Sequence, residues 1–208
     1  MDLLTTTIGL LQFIPFGSGS PTGPRPSVPL APTTGFVEAI FDASTLNEIL
    51  KERDCTSIRF YNVKLADGSE GGTLVAIGTK ADGTELLGKA EDKPYRTSMT
   101  SPAPGLSRSE TAAACQRMTK AGHSSFSATA TRDHVGSLLN EEGCQAIRVT
   151  PSEDDKGVLH LRLVGMKMDK DELVPMTDDP TKMRTSGEPC PAACGPVTNY
   201  ANEAELKK

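Results

Sequence analysis

The sequence predicts an α+β protein made of two related modules, each a helix packed on a short antiparallel sheet. Three observations carry this prediction. The segment "CTSIRF" at 55–60 returns as "CQAIRV" at 144–149. Around it, 45–60 and 134–149 share Leu50/Leu139, Glu52/Glu141, Cys55/Cys144, Ile58/Ile147 and Arg59/Arg148. After a two-residue shift, 74–86 matches 161–173 at Leu74/Leu161, Gly78/Gly165, Lys80/Lys167, Asp82/Asp169, Glu85/Glu172 and Leu86/Leu173. In each copy a helical spacing of apolar residues precedes short strand-like runs, so each copy reads α-β-β-β with a sheet covered on one face by helix. Two such copies in one chain can stand in pseudo-twofold relation.

The chain has 208 residues, enough for one ordinary domain or two small ones. Gly (19) and Pro (15) are frequent enough that much of it must be turn or connection. Residues 1–35 read as an arm. Leu3, Leu4, Ile8, Leu10, Leu11, Phe13, Ile14 and Phe16 make its start apolar. Pro21, Pro24, Pro26, Pro29 and Pro32 then rule out a helix or a central strand. Burying each large apolar side chain of the arm is worth roughly 1.5–3 kcal/mol, so docking on this chain or on a neighbour is expected.

The first module spans 36–88. "STLNEILKERD" places Leu46, Ile49 and Leu50 on one helical face, with Ser44 as the expected N-cap. "CTSIRFYNV" and "TLVAIGT" read as strands, "KADG" as a tight turn, and "TELLGK" as a returning third strand. Residues 89–108 are polar, hold Pro94, Pro102, Pro104 and Gly105, and read as an inter-module linker.

The second module, 109–175, begins with an extra helix whose Ser107 and Glu110 have capping-box spacing. Thr131 is expected to cap a second helix carrying Val135, Leu138 and Leu139, with Gly143 at its end. "CQAIRVTP", "VLHLRLVGM" and "DELVPM" follow as strands. Residues 176–208 form a turn-rich tail containing Cys190-Pro-Ala-Ala-Cys194.

The net charge of −5 and the absence of a long basic run argue against a nucleic-acid partner. The apolar start is too short and too rich in Thr to span a membrane, and Asp2 replaces the positive charge of a secretory leader. With five cysteines, an odd number, a cytoplasmic protein with reduced thiols is expected. No phosphate loop, dinucleotide glycine pattern, nucleophile elbow or zinc-protease motif occurs, and no cofactor or catalytic residue is assigned. Cys55 and Cys144 lack a consistent neighbouring base and read as buried structural thiols. Arg59 and Arg148 alternate away from their neighbouring Ile, towards the acidic positions Glu85 and Glu172. They are the candidate ligand-binding residues for an anion. Cys190 and Cys194 have a zinc-like spacing but no second ligand pair nearby, and are the weak metal candidates.

The segments "SETAAACQRMTK", "LLNEEGCQAIRV", "HLRLVGMKMDKDEL" and "CPAAC" together resemble a family of small uncharacterised Bacteroidetes proteins. Such proteins have a leading helix, a GCxGIR-like strand, a following strand pair and a CPxxC tail. The resemblance covers about 100 residues and implies an architecture but no catalytic residues. The duplication and the long arm depart from the family pattern. The function expected from all this is a non-enzymatic structural or assembly protein. It would form homo-oligomers, as a filament or tube, through its arm and its open sheet edges. The alternative is a small binding module with an anion held between the two repeats by Arg59 and Arg148.

Overall fold

The computed structural model describes residues 35, 38–66, 71–88, 92–101, 103–123, 126–155 and 158–187. The apolar arm and both tail cysteines, Cys190 and Cys194, lie outside the described residues.

The class is α+β, as expected, with two antiparallel sheets flanked by helices. The first repeat runs β1 (Ala39–Asp42), α1 (Ala43–Lys51), β2 (Ser57–Val63), β3 (Thr73–Thr79) and β4 (Tyr95–Thr97). A short strand β5 (Gly105–Leu106) and helix α2 (Arg108–Lys120) connect it to the second. The second repeat runs β6 (Ser127–Thr131), α3 (Arg132–Leu139), β7 (Ala146–Glu153), β8 (Leu159–Asp169), β9 (Glu172–Pro175) and β10 (Arg184–Thr185).

Each repeat gives its first strand to the other. Strand β1 pairs with β7 in sheet A, whose order is β1-β7-β8-β10, with β9 also on β8. Strand β6 pairs with β2 in sheet B, ordered β5-β4-β3-β2-β6. The two exchanges have the same register. Phe41 faces Ile147, and Ala130 faces Ile58. The chain then turns into its helix with matching bonds, Ala43 N donating to Gln145 O at 2.9 Å and Arg132 N to Thr56 O at 2.8 Å.

The expected linker is part of the fold. Strand β4 pairs with β3 as β10 pairs with β8, so Arg96-Thr97-Ser98 and Arg184-Thr185-Ser186 are equivalent segments. The residue after each closes a seam between the sheets. Met99 N donates to Ile40 O at 2.7 Å, and Gly187 N to Thr129 O at 2.8 Å. Hydrogen bonding therefore runs around the circuit β4-β3-β2-β6-β10-β8-β7-β1 and back, a barrel-like closure that occupies sheet edges. At β1 and β6 one backbone bond each therefore takes up part of the edge that was expected to be open.

Inside the circuit lies one core, shared by both repeats. Phe41, Ile147, Val149, Leu161 and Leu163 from sheet A meet Ile58, Phe60, Leu74, Ala76 and Ala128 from sheet B. Leu46, Ile49 and Leu50 of α1 and Val135 and Leu138 of α3 complete it. A smaller core lies on the outer face of sheet B. There Tyr61, Val63, Val75, Ile77 and Tyr95 pack under Ala114 and Cys115 of α2.

Local chemistry explains the helix ends. Ser107 and Glu110 form the expected capping box, and Thr131 accepts from His134 N. The cap of α1 is Asp42, not Ser44, because β1 holds the chain extended up to Asp42, whose carboxylate accepts from Ser44 N at 2.7 Å. "TELLGK" adds only a single bridge, Thr79 to Glu85, and not a strand. After the helices, Asp54 and Gly143 occupy the same turn with φ of 66° and 84°. A left-handed backbone suits Gly and strains Asp. Asp54→Gly is therefore expected to raise stability by about 0.5–1 kcal/mol, with the gain read as a shifted urea midpoint at constant slope.

Candidate functional site

Arg59 leaves β2 on the outer face of sheet B, between the core residues Ile58 and Phe60. It is 7 % exposed and its Nη1 lies 3.2 Å from Glu85 Oε1, itself 7 % exposed. Nη2 donates to Gly83 O at 3.1 Å. The same carboxylate accepts from the hydroxyl of Tyr61, and from that of Tyr95 at 2.8 Å. Arg59, Glu85, Tyr61 and Tyr95 are all buried, and the pair is held by hydrogen bonds as well as by charge. Burial and the neighbouring carboxylate hold both phenols above the ordinary tyrosine range. Because the folded values are raised, the stability tied to these protonated phenols is full below about pH 10 and declines as pH rises further.

Arg148 is the equivalent residue of β7, and its surroundings differ. The expected partner Glu172 belongs to the tip of the β8–β9 hairpin, opposite Asp169. The residue at the place of Glu85 is Pro175. Thr79 O accepts from Thr56 N and Met166 O from Gln145 N, each at 2.8 Å, and on the other side Thr79 faces Glu85 as Met166 faces Pro175. Leu86 N and Met176 N then donate to Gly78 O and Gly165 O, each at 2.9 Å. The β8–β9 hairpin is longer than its counterpart, which breaks the alignment of Glu85 with Glu172. Among the described residues Arg148 makes no ion pair; its buried Nε meets no acceptor, but neither does that of Arg59, so the ion pair is what separates the two.

Arg59 and Arg148 both point away from the shared core, one on the outer face of each sheet. They do not converge on a cleft between the repeats. The geometry thus removes the expected shared anion groove, and it commits Arg59 to an internal carboxylate.

Cys55 and Cys144 do occupy equivalent places. Each Sγ lies 3.4 Å from the carbonyl oxygen two residues on, that of Ser57 or Ala146. A Cβ on Gly78 would lie 3.2 Å from Cys55 Sγ, and one on Gly165 would lie 3.6 Å from Cys144 Sγ. The shared glycines let the strand approach the thiols closely. Burial pushes both thiols up, which disfavours the nucleophilic thiolate.

A groove of about 470 Å³ runs between α1 and α3, lined by Asn47, Lys51, Arg132, Asp133, Ser137 and Asn140. Arg132 is anchored there by a 2.8 Å bond to Cys55 O, and Arg184 of β10 reaches Ser137 Oγ at 3.2 Å. Neither candidate arginine lines it. Among the described residues no group of three or more His, Cys, Asp or Glu side chains is placed to hold a metal ion. Nor is any described helix long and apolar enough to cross a membrane.

No protein-family model, curated protein or solved structure matches this chain. The site residues must speak for themselves. Sequence reasoning found Arg59 and Glu85 but missed Tyr61 and Tyr95, which complete the carboxylate's shell. The repeated Arg-Thr-Ser triplet was the available signal for the strand that carries Tyr95 into sheet B.

Proposed function

We propose that the protein is a non-enzymatic structural or assembly protein that forms homo-oligomers, its apolar N-terminal arm docking on a neighbouring copy. The observation that carries this reading is the contrast between the two outer sheet faces. Sheet B is covered by α2, and its carboxylate answers its arginine. On sheet A no described helix packs in that way. Its outer face sets the unanswered Arg148 between Ile40 and Val164 in cross-strand register. Val164, Met166 and Ala146 on this face are already buried, so the burial that offsets the cost of ordering a Pro-rich spacer is that of the arm's own apolar side chains.

Closed seams at β1 and β6 direct the assembly away from edge-to-edge strand addition. The arm is then the connecting element of this reading. A reducing, cytoplasmic setting agrees with the free thiols of Cys55, Cys115 and Cys144.

Deletion of residues 1–16 is expected to lower the oligomeric state in light scattering while leaving the circular dichroism and the unfolding midpoint within error. A monomeric intact chain at high concentration would remove the proposal.

A further inference from the structure

We infer that a second copy of this chain can complete the barrel, by exchange of whole repeats between molecules. The inference goes beyond arm docking and does not require it. It rests on the reciprocal strands. Strand β1 has its full ladder with β7, of the other repeat, and β6 has its full ladder with β2. The seam bonds at Ile40 and Thr129 then lock each exchanged strand in place. Both repeats contribute to a single interior, so neither encloses a core by itself.

The interface between the repeats is thus built as an isologous dimer interface, with one sequence supplying both halves. Nothing in its hydrogen bonds requires the two halves to share a chain. Helix α2 stays with the first repeat, since Lys64 N donates to Ala114 O at 3.1 Å and Arg117 Nε to Lys64 O at 2.8 Å. The second repeat would cross to a partner beyond the end of α2 at Lys120. Covalent connection favours the closed single-chain form at low concentration, because a short tether acts as an effective concentration on the order of millimolar. Folding at high concentration gives the partner's repeat a comparable chance. Two chains then form two barrels, each with one repeat from each molecule. Open-ended exchange would give a linear array.

The test uses the full chain carrying Ile40→Cys and Arg148→Cys. These positions face each other across β1 and β7. They form a non-hydrogen-bonded pair, with side chains close enough for a disulfide. Equal amounts of ¹⁴N- and ¹⁵N-labelled protein are unfolded together, refolded over a range of concentrations, oxidised and digested. Exchange predicts disulfide-linked dimers that increase with concentration, and cross-linked peptide pairs of mixed isotope approaching half of the total. Same-isotope pairs alone, at every concentration, would overturn the inference. Should the double variant not fold, the unsubstituted chain is refolded at low and high concentration and then diluted. Exchanged dimers persist, because separation requires unfolding of both barrels. Dimers that dissociate promptly on dilution, or a monomer throughout, would overturn exchange. The prompt dissociation would at the same time support arm docking.

Discussion

Phe41→Ala is expected to lower the stability of the whole barrel by about 3–5 kcal/mol. The side chain is fully buried, and its ring centroid lies 5.4 Å from that of Phe60 at an interplanar angle of 59°. Phe41 belongs to the first repeat in sequence but stands opposite Ile147 in the sheet of the second. Phe60 stands in the other sheet. The substitution therefore opens a cavity where the repeats meet. Its equivalent in the second repeat is already Ala130, so no matching large side chain compensates. Chemical denaturation gives the magnitude. Amide exchange gives the distribution, and amides of both β2 and β7 should lose protection together. Loss confined to β2, with β7 unaffected, would contradict a shared core. If the alanine variant does not fold, Phe41→Leu supplies a milder version of the same measurement.

Glu85→Leu is expected to cost a similar amount, about 3–5 kcal/mol, for an electrostatic reason. Removing the carboxylate leaves the Arg59 guanidinium buried without its counter-charge, and takes from the Tyr61 and Tyr95 hydroxyls the carboxylate to which they donate. The double substitution Arg59→Leu/Glu85→Leu should recover the part of that loss due to the uncompensated charge, while the two tyrosine hydroxyls still lack the Glu85 carboxylate. A double-mutant cycle in urea measures the coupling. Additive losses in the double variant would show that Arg59 and Glu85 act independently, contrary to the network. The corresponding change at Arg148 removes no ion pair among the described residues. Arg148→Leu should shift the unfolding midpoint far less than Arg59→Leu does, which separates the two copies of one sequence motif by their surroundings.

The contrast between these arginines shows what could be read from residues in order. Local features were legible. The duplication appears in Cys55/Cys144 and Ile58/Ile147, and the capping chemistry appears in Ser107, Glu110 and Thr131. Alternation correctly turned Arg59 away from the core and towards Glu85. Such features depend on neighbours within a turn or two of helix, or on the two-residue period of a strand. They need no knowledge of what packs alongside. The glycines Gly78 and Gly165 were likewise visible as a repeat, although their purpose, the close approach to the cysteines, was not.

The tertiary structure decided the rest. The leading strands "AIFD" and "SATAT" are short and share only Ala39/Ala128 at equivalent places, too little for periodicity to announce a strand. Alternation assigns a residue to a face but does not say which strand lies beside it. The exchange of β1 and β6 therefore follows only when both cores are brought together as one, because each repeat alone would leave its inner sheet face in water. The hairpin lengths did the same for charge. Identity in sequence placed Glu172 with Glu85, whereas the ladder of β8 and β9 places Pro175 there and leaves Arg148 unanswered. A residue's type and period were set along the chain. Its partner was set by pairing between residues far apart in sequence, where register, and not order, determines which groups meet.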